Sequence, residues 1–167
     1  ASNTVKSSKQ DADFILLLQL IDESSYLRAK QLFLEIEQEK ISIIKKNKDE
    51  LLDKFYVWLN TKHSQEDLII CLRKLDDIFY NQIDVILILS RSYANNKNWF
   101  MAIKESYRVK DLTNSVVLLQ SVDKEIRNYV AKAFDAYLTT GRYQQLKKVL
   151  DYVREYSPDD PFYRLDY

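Results

Sequence analysis

The residues able to do chemistry are few and scattered. Two pairs of adjacent carboxylates, Asp76-Asp77 and Asp159-Asp160, are the first candidates for general acid and base work. Neighbours on a helix project about 100° apart, because a turn takes about 3.6 residues. Adjacent carboxylates on a helix therefore do not converge on one reacting atom, and both pairs read as solvated charges or caps. The single histidine, His63, lies in the connection Thr61-Lys62-His63-Ser64, with no cysteine or carboxylate cluster to complete a metal site. The single cysteine, Cys71, sits in the apolar run Leu68 to Leu72 and reads as a small buried hydrophobe. Gly141, the only glycine, follows Thr139 and Thr140, so there is no glycine-rich phosphate loop and no G-x-S-x-G elbow. The expectation is a chain with no catalysis, cofactor or metal of its own.

Bulk composition narrows the partners. Lys plus Arg and Asp plus Glu each number 25, for zero net charge. Phosphate backbones and acidic membranes are bound by an excess of Lys and Arg, so a broad nucleic-acid surface is not expected. The apolar runs ILLLQLI and VILILS fall short of the ~18 to 20 residues that cross a bilayer, so no transmembrane segment is expected. One Gly and two Pro in 167 residues leave few helix breakers, and no Asn-Gly or Asp-Gly hairpin signal occurs. With 46% hydrophobic and 30% charged residues, the chain reads as all-α.

Function then rests on how helices are arranged. The clearest unit is Asn128 to Pro161. Its first helix carries Val130, Ala133, Phe134 and Tyr137 on one stripe. Thr140-Gly141-Arg142 turns the chain, the second helix carries Tyr143, Leu146, Leu150 and Val153, and Ser157-Pro158 stops it. Read from Arg127, these residues resemble the tetratricopeptide repeat (TPR), a helix-turn-helix of about 34 residues that buries its apolar face only by stacking on copies of itself. Leu146 departs from the pattern, which has alanine there, and is expected to push the two helices slightly apart. The pattern recurs from Ile83, with Ile86, Leu89, Ser90 and Tyr93, then Trp99, Ala102, Ser106 and Val109. It recurs again from Gln10, with Leu16, Leu17 and Leu20, then Tyr26, Ala29, Phe33 and Ile36. At these turns Asn95 to Asn98 and Ser24-Ser25 replace glycine, asparagine for its tolerance of left-handed backbone and serine as a helix cap. The resemblance implies an irregular TPR-like α-α superhelix of antiparallel helix pairs.

Two stretches break the period. No Gly, Pro or cap follows Glu37, and Ile36, Ile43, Ile44, Leu51, Phe55, Trp58 and Leu59 keep helical spacing. The expectation is one long helix over Ser25 to Asn60, with a break in the polar stretch Lys45 to Glu50 as the alternative. Ser64 with Asp67 reads as a capping box for the next helix, and Asn81 as the cap of the one after. NSVVLLQSV reads as a short extra helix. Residues 1–9 are polar and aperiodic and read as a frayed start, which leaves 10–167 as one helical domain. Asp160-Pro161 reads as the start of a further helix, so the chain is expected to be part of a longer array.

In stacked repeats of this type the first helix of each pair lines the concave face. Carried over, that face is Asp84, Leu87, Arg91, Ala94 and Asn95 in the middle unit and Asn128, Ala131, Asp135, Leu138 and Thr139 in the last. Its polar members, Asp84, Arg91, Asn95, Asn128, Asp135 and Thr139, suit the backbone of an extended peptide. The equivalent Asp11, Phe14, Leu18, Ile21 and Asp22 of the first unit are largely apolar and read as packed on the long helix or on a partner chain. Ile43, Ile44, Phe55 and Trp58 form a stripe that a homodimer can bury. Two functions follow. One is a scaffold that binds a protein or peptide partner and mediates assembly. The other is an accessory region of a larger enzyme: DFILLLQLIDESSYLRAKQLF and GRYQQLKKVLDYVREYSPDDP are similar to the repeat region that accompanies retropepsin-like aspartic proteases in bacterial envelope proteins. That resemblance implies a catalytic domain outside residues 1–167, and it favours a periplasmic over a cytoplasmic location.

Overall fold

A chain with so few breakers folds into helices almost throughout. The computed structural model describes residues 2–163, with side chains for 12–38 and 40–163. The order is α1 (Ser2–Asp22), α2 (Tyr26–Glu35), a 3-10 turn (Gln38–Lys40), α3 (Ile41–Lys46), α4 (Lys48–Thr61), α5 (Gln65–Ile78), α6 (Ile83–Asn95), α7 (Trp99–Leu112), α8 (Val116–Thr139), α9 (Tyr143–Tyr156) and a 3-10 turn (Pro161–Tyr163). No strand occurs among the described residues. Of the frayed start read over residues 1–9, residues 2–9 form the opening turns of α1, without described side chains, and residue 1 lies outside the described residues. Of the further helix read from Asp160, the turn Pro161–Tyr163 is described, with the Asp160 carboxylate accepting from the Phe162 N–H at 3.0 Å; residues 164–167 lie outside the described residues.

Short connections make consecutive helices neighbours, and each packs on the next except α2, which packs on α1 and α5 rather than on α3. Contacts between α1 and α4, and between α4 and α6, align one layer; contacts between α2 and α5, and between α7 and α9, align a second. Four polar links across the fold span similar stretches of chain. Lys54 to Asp22, Arg91 to Glu125, Arg108 to Asp76 and Arg127 to Asp160 join residues 32 to 34 apart.

Three turns share one backbone geometry. Ser24, Lys97 and Gly141 take φ of 59°, 59° and 71°. The next residue donates five residues back in each case: Ser25 N to Leu20 O (2.8 Å), Asn98 N to Tyr93 O (2.9 Å) and Arg142 N to Tyr137 O (2.7 Å). This hydrogen bond closes the helix end against a left-handed residue. An aromatic residue follows each time, Tyr26, Trp99 or Tyr143. Tyr26 stacks on Trp58 of α4 at 4.4 Å between centroids, and Trp99 lies tilted against Tyr129 of α8 at 6.2 Å. The left-handed residue of the middle turn is Lys97, not an asparagine. Asn98 instead caps α7, its side chain accepting from Met101 N at 3.3 Å. Ser25 precedes α2 without a side-chain cap bond.

The long helix expected over Ser25 to Asn60 is not there. α2 ends at Glu35, Ile36 and Glu37 turn extended (ψ 113° and 156°), and α3 and α4 part at Asn47. The first break has a distant cause. The Lys74 ammonium of α5 donates to the carbonyls of Phe33 (2.6 Å), Ile36 (2.8 Å) and Leu34 (3.3 Å), satisfying acceptors that a continuing helix would have used. The second break is local: the Asn47 side chain donates to Ile43 O at 2.9 Å and competes with the helix. The longest helix is α8, which absorbs the segment read as a short extra helix; Ser115 caps it, accepting from Leu118 N at 3.2 Å. Ser64 does precede α5, but with φ 51° and no side-chain cap bond, and Asp67 pairs with Lys30 at 3.1 Å. Gln82, not Asn81, precedes α6.

The broken segment still does what its apolar stripe requires, but inside the chain. Ile44, Phe55 and Trp58 have no exposed surface, and Ile43 packs half-buried against the same core. Phe33 and Phe55 meet edge-on at 5.9 Å, and the Trp58 indole N–H donates to His63 O at 3.1 Å. This stripe is core, so it offers no surface to a homodimer. Phe14, Leu18 and Ile21 of α1 are buried too, with α1 packed on α3 and α4. Fully burying each such side chain contributes about 1.5 to 3 kcal/mol by area.

Candidate functional site

Among the described residues, the candidate developed furthest by the fold is the groove along the layer of α4, α6 and α8. Two helix faces wall its first part. On α4, Asp49, Leu52, Asp53 and Tyr56 fall at intervals of three and four residues; on α6, Asp84, Leu87, Ile88 and Arg91 fall at the same intervals. That spacing keeps each set on one side of its helix. Together they line a hollow of about 320 Å³. A second hollow of about 290 Å³ continues the line, with Asn60 and Lys62 at the end of α4, Arg91, Ala94 and Asn95 on α6, and Glu125, Asn128, Tyr129 and Lys132 on α8.

Arg91 belongs to both hollows. Its Nη2 and Nε donate to one Glu125 oxygen at 2.9 and 3.2 Å, and Nη1 reaches the Tyr56 hydroxyl at 3.4 Å. The other oxygen, Glu125 Oε2, is buried without a hydrogen-bond partner. Arg91 therefore acts first as a strut between α6 and α8. Asn95 is similarly committed: its Nδ2 donates to Leu59 O and Gln65 Oε1, both at 3.0 Å, fastening α6 to the end of α4. Gln65 is itself buried and donates to Trp58 O and His63 O. Asp84 pairs with Lys48 at 2.9 Å. Asn128 is exposed on the wall of the second hollow. Burial pushes the Tyr129 hydroxyl up to about 12, with the Glu125 carboxylate beside it adding to the rise.

Of the six polar residues read as a groove, Asp84, Arg91, Asn95 and Asn128 come together here. Asp135 and Thr139 do not: they sit further along α8, where the Thr139 hydroxyl donates to the carbonyls of Asp135 (2.8 Å) and Ala136 (3.2 Å). The α4 wall of Asp49, Asp53 and Tyr56 is absent from the sequence expectation, which drew its groove residues from α6 and α8 alone. The signal was present: Asp-x-x-Leu-Asp-x-x-Tyr on α4 has the same spacing as Asp-x-x-Leu-Ile-x-x-Arg on α6.

The chemical candidates outside the groove are quiet. Asp76 accepts from both Arg108 nitrogens (2.9 and 3.2 Å), and Glu105 accepts from the same guanidinium at 2.7 Å. Those hydrogen bonds raise the Arg108 pKa, so the cluster is a fixed ion network between α5 and α7. Cys71 is fully buried, and desolvation pushes its thiol up to about 12. His63 is an exposed connection residue whose carbonyl does the bonding. Among the described residues no group of three His, Cys, Asp or Glu side chains is placed to hold a metal, and no helix is long and apolar enough to cross a membrane. Tyr107, Tyr152 and Tyr156 pack against one another on the outer layer, with Phe100 edge-on to Tyr152 at 5.3 Å. Comparison with family models, curated proteins and solved structures finds no match to this chain.

Proposed function

We propose that this chain is a TPR-like helical repeat scaffold that binds an extended segment of a protein partner along the groove of α4, α6 and α8, without catalysis of its own. The observation that carries this reading is the line of two adjoining hollows, built from equivalent faces of α4 and α6 and closed by α8. The first hollow is mainly apolar and the second is lined largely by amides and charges, and together they offer the mixture an extended segment needs. The common turn geometry and the polar links spanning 32 to 34 residues support the repeat reading.

The test is selection from a synthetic random heptapeptide library by the intact chain. Asn128→Trp fills the second hollow from an exposed position; Gln144→Trp, on the outer face of α9, is the control. The expected result is peptides bound by wild type and control, and weakened about tenfold or more, ~1.4 kcal/mol, by Asn128→Trp. Selection unaffected by Asn128→Trp, or no selection at all, would overturn the groove.

A further inference from the structure

We infer that the hollow between α4 and α6 is a pocket for a lysine or arginine side chain of the bound segment; this rests on the groove reading above. The floor is apolar: Leu52 and Ile88 are buried and Leu87 is half-buried. That surface suits a methylene stem, which long basic side chains lay along apolar surface while holding the charge at the rim. Three carboxylates ring the opening, Asp49 and Asp53 on α4 and Asp84 on α6, all exposed.

The cations at the hollow are already matched. Lys48 pairs with Asp84 at 2.9 Å and Arg91 with Glu125 at 2.9 Å. Among the described residues no cation pairs with Asp49 or Asp53, and the charge left for an occupant to meet is negative. The Tyr56 ring, 45% exposed, stands on the same wall and offers a face to a cation. An acidic side chain would be repelled here.

The test uses two heptapeptide bead libraries that are otherwise identical. One contains Lys and Arg; the other has norleucine and citrulline in their place, keeping the apolar stem without the charge. The intact wild-type chain is compared with the double variant Asp49→Asn, Asp53→Asn, whose positions are exposed and leave the core untouched. Wild type is expected to draw binders mainly from the first library, with Lys or Arg enriched about tenfold at one position and the preference fading at high salt. The double variant is expected to lose that enrichment while still selecting at other positions. Equal selection from both libraries, sensitive to Asn128→Trp, would overturn the basic pocket and leave the groove standing. Enrichment that survives in the double variant would overturn the pocket's placement between α4 and α6. No selection from either library would overturn both readings.

Discussion

Replacing Lys74 by Met tests how a distant side chain ends a helix. The ammonium donates to three carbonyls at the end of α2, and its Nζ lies 5.1 Å from the centre of the Phe33 ring. Charge-assisted hydrogen bonds contribute about 1.5 to 3 kcal/mol each. The 3.3 Å bond to Leu34 O is exposed and counts for little, so the bonds to Phe33 O and Ile36 O carry the effect. Burial lowers the Lys74 pKa from 10.5, so the charged form carries a desolvation penalty that the substitution relieves. Met keeps the stem but leaves Ile36 O without a donor and Phe33 O with only the 3.3 Å bond from Ile36 N, and the expected loss is about 2 to 3 kcal/mol. The assay is urea unfolding followed by far-UV circular dichroism, with amide hydrogen exchange read along α2 and α3. Exchange is expected to rise first in the segment Phe33 to Ile41. A loss below about 0.5 kcal/mol, the range of an ordinary surface change, would refute Lys74 as the stop of α2.

Four further outcomes follow from packing, backbone and burial. Trp58→Ala is expected to cost about 3 to 5 kcal/mol in urea unfolding, because the residue is fully buried, stacked on Tyr26 and bonded to His63 O; an effect on oligomeric mass at unchanged stability would contradict its place in the core. Gly141 has φ 71° with open space where a Cβ would sit, so Gly141→Ala meets backbone strain alone and is expected to destabilise by about 1 kcal/mol. Lys97→Gly, at φ 59° in the equivalent turn, is expected to stabilise by about 0.5 to 1 kcal/mol in thermal unfolding. Cys71, buried and with its thiol pushed up to about 12, is expected to resist a disulfide reagent at neutral pH until the chain unfolds, the labelling rate tracking global opening.

The helix pairs were legible in the sequence because their signals are local. An apolar stripe, a turn that tolerates a left-handed residue and an aromatic opening the next helix recur together, and Tyr26, Trp99 and Tyr143 mark the pairs. What was not legible depends on residues far along the chain. Lys74 acts on carbonyls 38 to 41 residues upstream, so nothing near Ile36 announces the break. A periodic stripe also does not say what covers it, which is why Ile44, Phe55 and Trp58 read as a surface and are core. The continuity of α8 was available, since Val116 to Thr139 holds no Gly or Pro, but the repeat period argued for a boundary inside it. In the groove, Arg91 reads from the sequence as a ligand-binding group, and the structure pairs it with Glu125, 34 residues on.

Where a bound peptide sits decides the central claim, and backbone amide chemical shifts of the isotope-labelled chain, titrated with a peptide from the library selection, locate it directly. The predicted result is shifts confined to Asp49–Asn60 on α4, Asp84–Asn95 on α6 and Glu125–Lys132 on α8. Shifts confined to the outer layer of α5, α7 and α9 would contradict it and move the binding surface to the opposite face.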